Sequence, residues 1–121
     1  MIRELPESQG AILGFEITGK VSLEEEKKWI ERIEEAVREY EKVSTLVVLS
    51  DEAHWGIKAG IEDLRWLTAH MKELDKIALV SDRKIWKWLV ALDGPFAKIA
   101  GINEKHFQPD KIEEAWKWIR E

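Results

Sequence analysis

Ser50, Asp51, Glu52 and His54 fall within five consecutive positions, and Ser81, Asp82 and His106 place further hydroxyl, carboxylate and imidazole groups beside expected strand ends. A serine becomes nucleophilic when an imidazole takes its proton and a carboxylate orients that imidazole. Ser50 with His54 or His106, oriented by Asp51 or Glu52, would supply those parts for ester hydrolysis. Backbone N–H groups at the start of the following helix would face the oxyanion. The same residues have a plainer reading. No Gly-x-Ser-x-Gly elbow surrounds either serine, so Ser50 would end a strand, Asp51 would cap a turn, and Ser81-Asp82 would cap a helix.

Metal chemistry finds less support. His54, His70 and His106 are the only imidazoles, and none has the spacing that sets two ligands on one helical face. They read as solvated or core histidines, and neither a metal nor a cofactor is expected. Seven tryptophans against three phenylalanines and one tyrosine exceed what a core of this size needs. Packing accounts for Trp29, Trp88, Trp116 and Trp118. Trp66 projects about 180° from Ile57 on its helix, with His70 one turn along, and Trp86 widens the apolar arc of the next helix. Trp55, Trp66, His70 and Trp86 would wall a pocket for a small apolar or aromatic ligand, form a homodimer patch, or serve helix–helix packing.

These groups converge only if the elements carry them to one place. Residues 2–5 read as a short edge strand broken by Pro6. Ala11, Leu13, Phe15 and Ile17 then alternate between Gly10 and Gly19 as a strand with one buried face, pairing antiparallel with the first. Ser22 caps a helix to about residue 41, with Glu24, Glu25 and Glu26 in its first turn. Its buried stripe is Ile30, Ile33, Val37 and Tyr40, with Trp29 and Ala36 on the same side. Residues 45–50 form a strand covered on both faces, followed by a loop over 51–56 and a helix over 57–71. A second apolar strand spans 77–80, a helix spans 83–93, a strand spans 102–107, and a last helix runs from Pro109-Asp110 to Arg120. The class is α/β: a mainly parallel sheet with an antiparallel N-terminal hairpin and helices on both faces. Ligands of such sheets bind beyond the carboxyl ends of the parallel strands, where Ser50, Ser81 and His106 would gather.

At 121 residues, 45% of them hydrophobic and 36% charged, the sequence fits one domain over 1–121 with a normal core under a charged surface. The absence of cysteine excludes disulfides and thiol catalysis. A net charge of −5, with Lys and Arg interleaved with Glu, argues against a nucleic-acid partner. No apolar run is long enough for membrane insertion, and the first residues carry no secretory h-region, so the cytoplasm is the expected compartment.

Taken together, the order of elements and several scattered positions resemble the SpoIIAA-like family. Those positions are Gly19-Lys20-Val21-Ser22, Trp55, Glu62-Asp63-Leu64, His70, Trp88, Pro95-Phe96 and residues 115–121. The resemblance implies a fold related to STAS and CRAL-TRIO domains. STAS anti-anti-sigma factors carry a phosphorylatable serine before their second helix, but that turn here reads Glu52-Ala53-His54-Trp55-Gly56-Ile57 without a hydroxyl, so no phospho-switch is carried over. Val48 stands where the family usually has aspartate, Glu52 where it has an apolar residue, and His54 where it has glycine. These departures, with the Glu/Lys-rich helices, read as an engineered or redesigned member, a composition that thermophilic origin also produces. The expected function is a non-enzymatic domain binding a small ligand or a protein. The alternatives are a Ser–His esterase at the carboxyl edge and a scaffold or dimerisation module without ligand.

Overall fold

The computed structural model describes residues 1–50, 53–55, 66, 73–82 and 103–121, with the backbone alone at 54, 55 and 104. β1 (Ile2–Glu4) and β2 (Ile12–Ile17) form the expected antiparallel pair, with Ile2 opposite Ile17. β2 then runs parallel to β4 (Val43–Leu49), β4 to β6 (Leu74–Val80), and β6 to β7 (Asn103–Phe107). The sheet order is β1-β2-β4-β6-β7, so four parallel strands end at one carboxyl edge. Beyond that edge, β3 (Lys20–Val21) and β5 (His54–Trp55) pair as a second, two-stranded parallel sheet. The sequence gives no sign of this pair, because two residues are too few to show a period.

Helix α1 (Leu23–Tyr40) starts where the capping signal places it. Ser22 Oγ accepts from the Glu25 N–H at 3.2 Å, and Glu25 in turn reaches back to the Ser22 backbone, a reciprocal capping box. Partial desolvation pushes the Glu25 carboxyl up. Hydrogen bonds from the Ile2 and Ser22 N–H groups and the nearby terminal ammonium outweigh it and hold the group below the usual carboxylate range. At the other end Glu41 adopts φ 68°, ψ −47°, and the Lys42 N–H donates to the Tyr40 carbonyl at 2.8 Å. That bond closes a γ-turn around a non-glycine residue, a strained conformation. Tyr40, expected on the buried stripe, is instead 44% exposed, with its ring over Gly10 in the β1–β2 connection rather than over the sheet.

The two faces of the sheet carry different cores. On one, Leu13, Phe15, Val43 and Leu74 pack with Ile30, Ile33 and Ala36 of α1. On the other, Leu46, Ala78 and Val80 pack with Ala115, Trp116 and Ile119 of α2 (Ile112–Arg120), which a 3₁₀ turn over Pro109–Lys111 precedes. Strand period assigns the two sets: Val43, Val47 and Leu49 face α1, while Leu46 and Val48 face α2. Between the pairs Val43↔Leu74 and Thr45↔Ile77, β6 uses one residue more than β4. The resulting bulge returns both Leu74 and Ile77 to the α1 side.

Helix α2 sits so close to the sheet that a Cβ on Gly14 would lie 2.3 Å from Trp116 Cη2. A glycine there is a requirement of close approach, not of backbone conformation. At its far end, Lys76 Nζ donates to the Trp118 carbonyl at 3.1 Å and lies 5.3 Å from the Trp118 ring centre, so a strand lysine supplies the helix with a C-terminal cation. No helix among the described residues is long and apolar enough to cross a membrane.

Candidate functional site

The carboxyl edge of the parallel strands gathers polar groups on both sides of the β4–β6 boundary. Ser50 is the first residue beyond β4. Its N–H donates to the Ile17 carbonyl at 3.1 Å, and its own carbonyl accepts from the Ala53 N–H at 3.0 Å. These two bonds fold the chain from β4 back toward β5 and the His54 backbone. The Ser50 hydroxyl is buried and makes no hydrogen bond to any of the described residues. Asp51 and Glu52 lie outside the described residues, as do the side chains of His54 and Trp55.

His106 is on β7, opposite Leu79, and the structure sets it against Ser81 rather than Ser50. Its Nε2 is 2.8 Å from the Ser81 carbonyl oxygen and 3.2 Å from Ser81 Oγ. A carbonyl oxygen can only accept, so the shorter contact requires the proton on Nε2. That nitrogen has then no lone pair with which to take a proton from Ser81. The Ser81 hydroxyl donates to the Asp82 carbonyl at 3.3 Å and is fully buried. The arrangement ties the end of β6 to β7 and, in this state, is a structural clasp rather than a nucleophile with its base. Among the described side chains, Ser81, a weaker candidate than Ser50 in the sequence because Ser-Asp before a helix reads as a cap, is the serine that an imidazole reaches. The β6–β7 register decides this, and a sequence cannot display a register.

Trp66 is helical and 9% exposed, packed into the cluster that α1 shares with Leu13, Phe15 and Leu74. Its Nε1 donates to Glu34 Oε1 of α1 at 2.9 Å. Both the apolar body and the polar tip of this tryptophan therefore meet α1. His70 and Trp86 lie outside the described residues.

Two groups of this edge were not singled out in the sequence. Glu26, in the first turn of α1, is fully buried, and Trp29, one turn later, has a buried indole N–H without a hydrogen-bond partner. Trp29 packs against the cluster of Ile17, Val21, Val47 and Leu49 from β2, β3 and β4, and its ring meets Phe15 edge-on with centres 5.7 Å apart. A signal for Glu26 was present, because it precedes Ile30 by four positions and Ile33 by seven, the spacing of the buried stripe itself. Counting it with the acidic first turn concealed that. Among the described residues no group of three carboxylates or imidazoles could hold a metal ion.

The architecture can be set beside known proteins. The SpoIIAA-like family model matches residues 12–120. The solved structure of an uncharacterised protein from the DUF3478 family with a SpoIIAA-like fold, from Shewanella loihica PV-4, superposes with a TM-score of 0.74 at 19% identity, over 98% of this chain and 93% of that one. At that identity the likeness carries the fold alone. No curated protein matches the chain. With the family model covering nearly all of the sequence, and the antiparallel hairpin, parallel sheet and helix on each face in place, the chain belongs to the SpoIIAA-like family.

Proposed function

We propose that this protein is a binding domain for a small neutral ligand of aromatic or apolar character, seated at the carboxyl edge of the sheet beside the β3–β5 pair. The observation that carries the reading is the Ser50 hydroxyl, buried at that edge without a partner. A buried hydroxyl left unbonded costs about 1–3 kcal/mol, which a ligand or water atom at that position recovers. Trp55, with its backbone in β5, is the proposed aromatic wall nearest Ser50, and Trp86 and His70 would extend that wall. Trp66 would contribute from the core side. In the protein-binding form of the proposal, the same aromatic residues make a patch for a partner or a second copy. An engineered origin belongs to the same proposal: Val48 packs in the apolar layer under α2, where the family's usual aspartate would be costly to desolvate.

The test is a titration with N-phenyl-1-naphthylamine, a neutral aromatic probe that brightens in apolar surroundings. Saturable binding that Trp55→Ala weakens is the expected result. Equal binding by Trp55→Ala and wild type removes the edge as the site.

The Ser–His hydrolase is the second reading, favoured by the 3.2 Å contact between Ser81 Oγ and His106 Nε2 and by the unbonded Ser50 hydroxyl. It requires His106 to leave the Ser81 carbonyl, or His54 to serve Ser50. A fluorophosphonate that labels Ser50 or Ser81, with the label lost in the matching alanine variant, would support it. Absence of label from both serines rejects it.

A further inference from the structure

The N-terminal half of α1 presents an unusual pair to the ends of β2 and β4. Glu26 is fully buried, and Trp29, three residues on and therefore on the same helical face, buries an indole N–H that no group among the described residues accepts. Indole N–H groups in folded proteins nearly always find an acceptor when they leave water, as Trp66 does with Glu34 in this same molecule. The apolar surroundings are Ile17, Val21, Val47 and Leu49, with the Phe15 ring against the Trp29 indole.

We propose that Trp29 Nε1 and the Glu26 carboxyl form the polar end of the ligand site, and that the ligand meets them with a neutral hydroxyl on an aromatic ring, as in a phenol. This assignment rests on the ligand-binding reading of the carboxyl edge and specifies its chemistry. The indole N–H has only a proton to offer, so the ligand atom facing it is an acceptor. An anionic acceptor would have to give up its own water beside a fully buried acidic residue, a cost that a neutral group avoids. A carboxyl oxygen retains acceptor capacity even when it already has one partner. One ligand group therefore serves the Trp29 N–H and the remaining acceptor capacity of Glu26 if its oxygen accepts from the first and its O–H donates to the second, which a hydroxyl does and an ether or a carboxylate does not. The ring attached to that hydroxyl meets the aliphatic ends of β2 and β4, where an aromatic body is best accommodated.

The experiment follows the indole N–H resonances of the ¹⁵N-labelled protein, one for each of its seven tryptophans, during titration with phenol, toluene and benzoate. The Trp29 resonance is assigned by its loss in Trp29→Phe, and unchanged positions of the other six certify that this variant is folded. Phenol is expected to bind with a Kd on the order of a millimolar, in keeping with its few heavy atoms. It should move the Trp29 resonance saturably downfield, while benzoate leaves it in place. Trp29→Phe should weaken phenol binding about 3- to 10-fold, the worth of one hydrogen bond, and toluene binding less than twofold. Toluene here corrects for any loss of ring packing. Equal losses for phenol and toluene, an unmoved Trp29 resonance under saturating phenol, or benzoate binding as well as phenol would each overturn the assignment while leaving a ligand site at this edge. If neither phenol nor toluene saturates, the ligand-binding reading falls with it.

Discussion

Among the described glycines, Gly14 is the one where an added methyl group meets the most resistance. The new methyl carbon would lie 2.3 Å from Trp116 Cη2, 2.7 Å from Cζ2 and 3.3 Å from Leu5 Cδ1. Carbon atoms rest about 3.5–4.0 Å apart, so the indole must retreat by more than about 1 Å. It cannot do so alone. The ring is 6% exposed, wedged among Leu5, Leu46, Ala115 and Ile119, and its backbone belongs to α2. Nor can Gly14 yield, because its N–H donates to Ser8 Oγ at 2.9 Å and its carbonyl accepts from Leu5 at 2.8 Å. Overpacking of this kind costs about 1–3 kcal/mol, and a clash near 2.3 Å against a rigid ring belongs at the upper end. Alanine's lower backbone entropy returns about 0.5–1 kcal/mol. The net expectation is a loss of about 2 kcal/mol, a large fraction of a typical domain's stability and about 8 °C in Tm for a chain of this length. Urea unfolding monitored by tryptophan emission measures it. A cycle with Trp116→Leu isolates the cause: once the indole is gone, Gly14→Ala should be nearly neutral, giving a coupling of about 2 kcal/mol. A single-mutant loss below about 0.5 kcal/mol, or additivity with Trp116→Leu, would refute the packing argument.

Glu41→Gly should raise stability by about 1 kcal/mol, because glycine occupies the positive-φ turn after α1 without strain, and thermal unfolding reads the gain. Glu25 has a folded pKa below its unfolded one, so its contribution is present above the unfolded value, near 4.3, and is lost as pH falls through the folded value. Stability measured from pH 6 down to 3 should therefore fall less steeply in Glu25→Gln than in wild type, and identical slopes would contradict the capping-box assignment.

Much of the fold was legible because burial imposes its period on the sequence. The alternation of Leu13, Phe15 and Ile17 and the continuous apolar run of β4 announced two strands that stand where expected within two residues, but β2 is covered on both faces rather than one, because Ile12 and Gly14 lie under α2. Ser22 and its three glutamates marked the start of α1 for an equally local reason. β6 begins at Leu74, three residues before the apolar run, because Asp75 and Lys76 lie at the bulge and break the pattern. The site was less legible. Topology brought Ser50, Ser81 and His106 to one edge, but which serine meets the imidazole depends on strand register and on a backbone carbonyl, neither written in residue types. Trp66 was seen as an outlier on its own helix. It is accommodated because Glu34, on α1, accepts its N–H, a long-range pairing that no window along the chain reveals.

The contact between Gly14 and Trp116 also joins the beginning of the chain to its end. During synthesis the β1–β2 hairpin, α1 and β4 emerge first and can already share the core on the α1 face. Leu46, Ala78 and Val80, on the opposite face, gain Ala115, Trp116 and Ile119 as neighbours only when residues 112–120 leave the ribosome. Until then the nascent sheet lacks that part of its apolar cover, the kind of surface that chaperones hold and that aggregation exploits. A ribosome stalled before Ala115 would leave Leu46, Ala78 and Val80 without the packing of α2, so this layer of the core closes late.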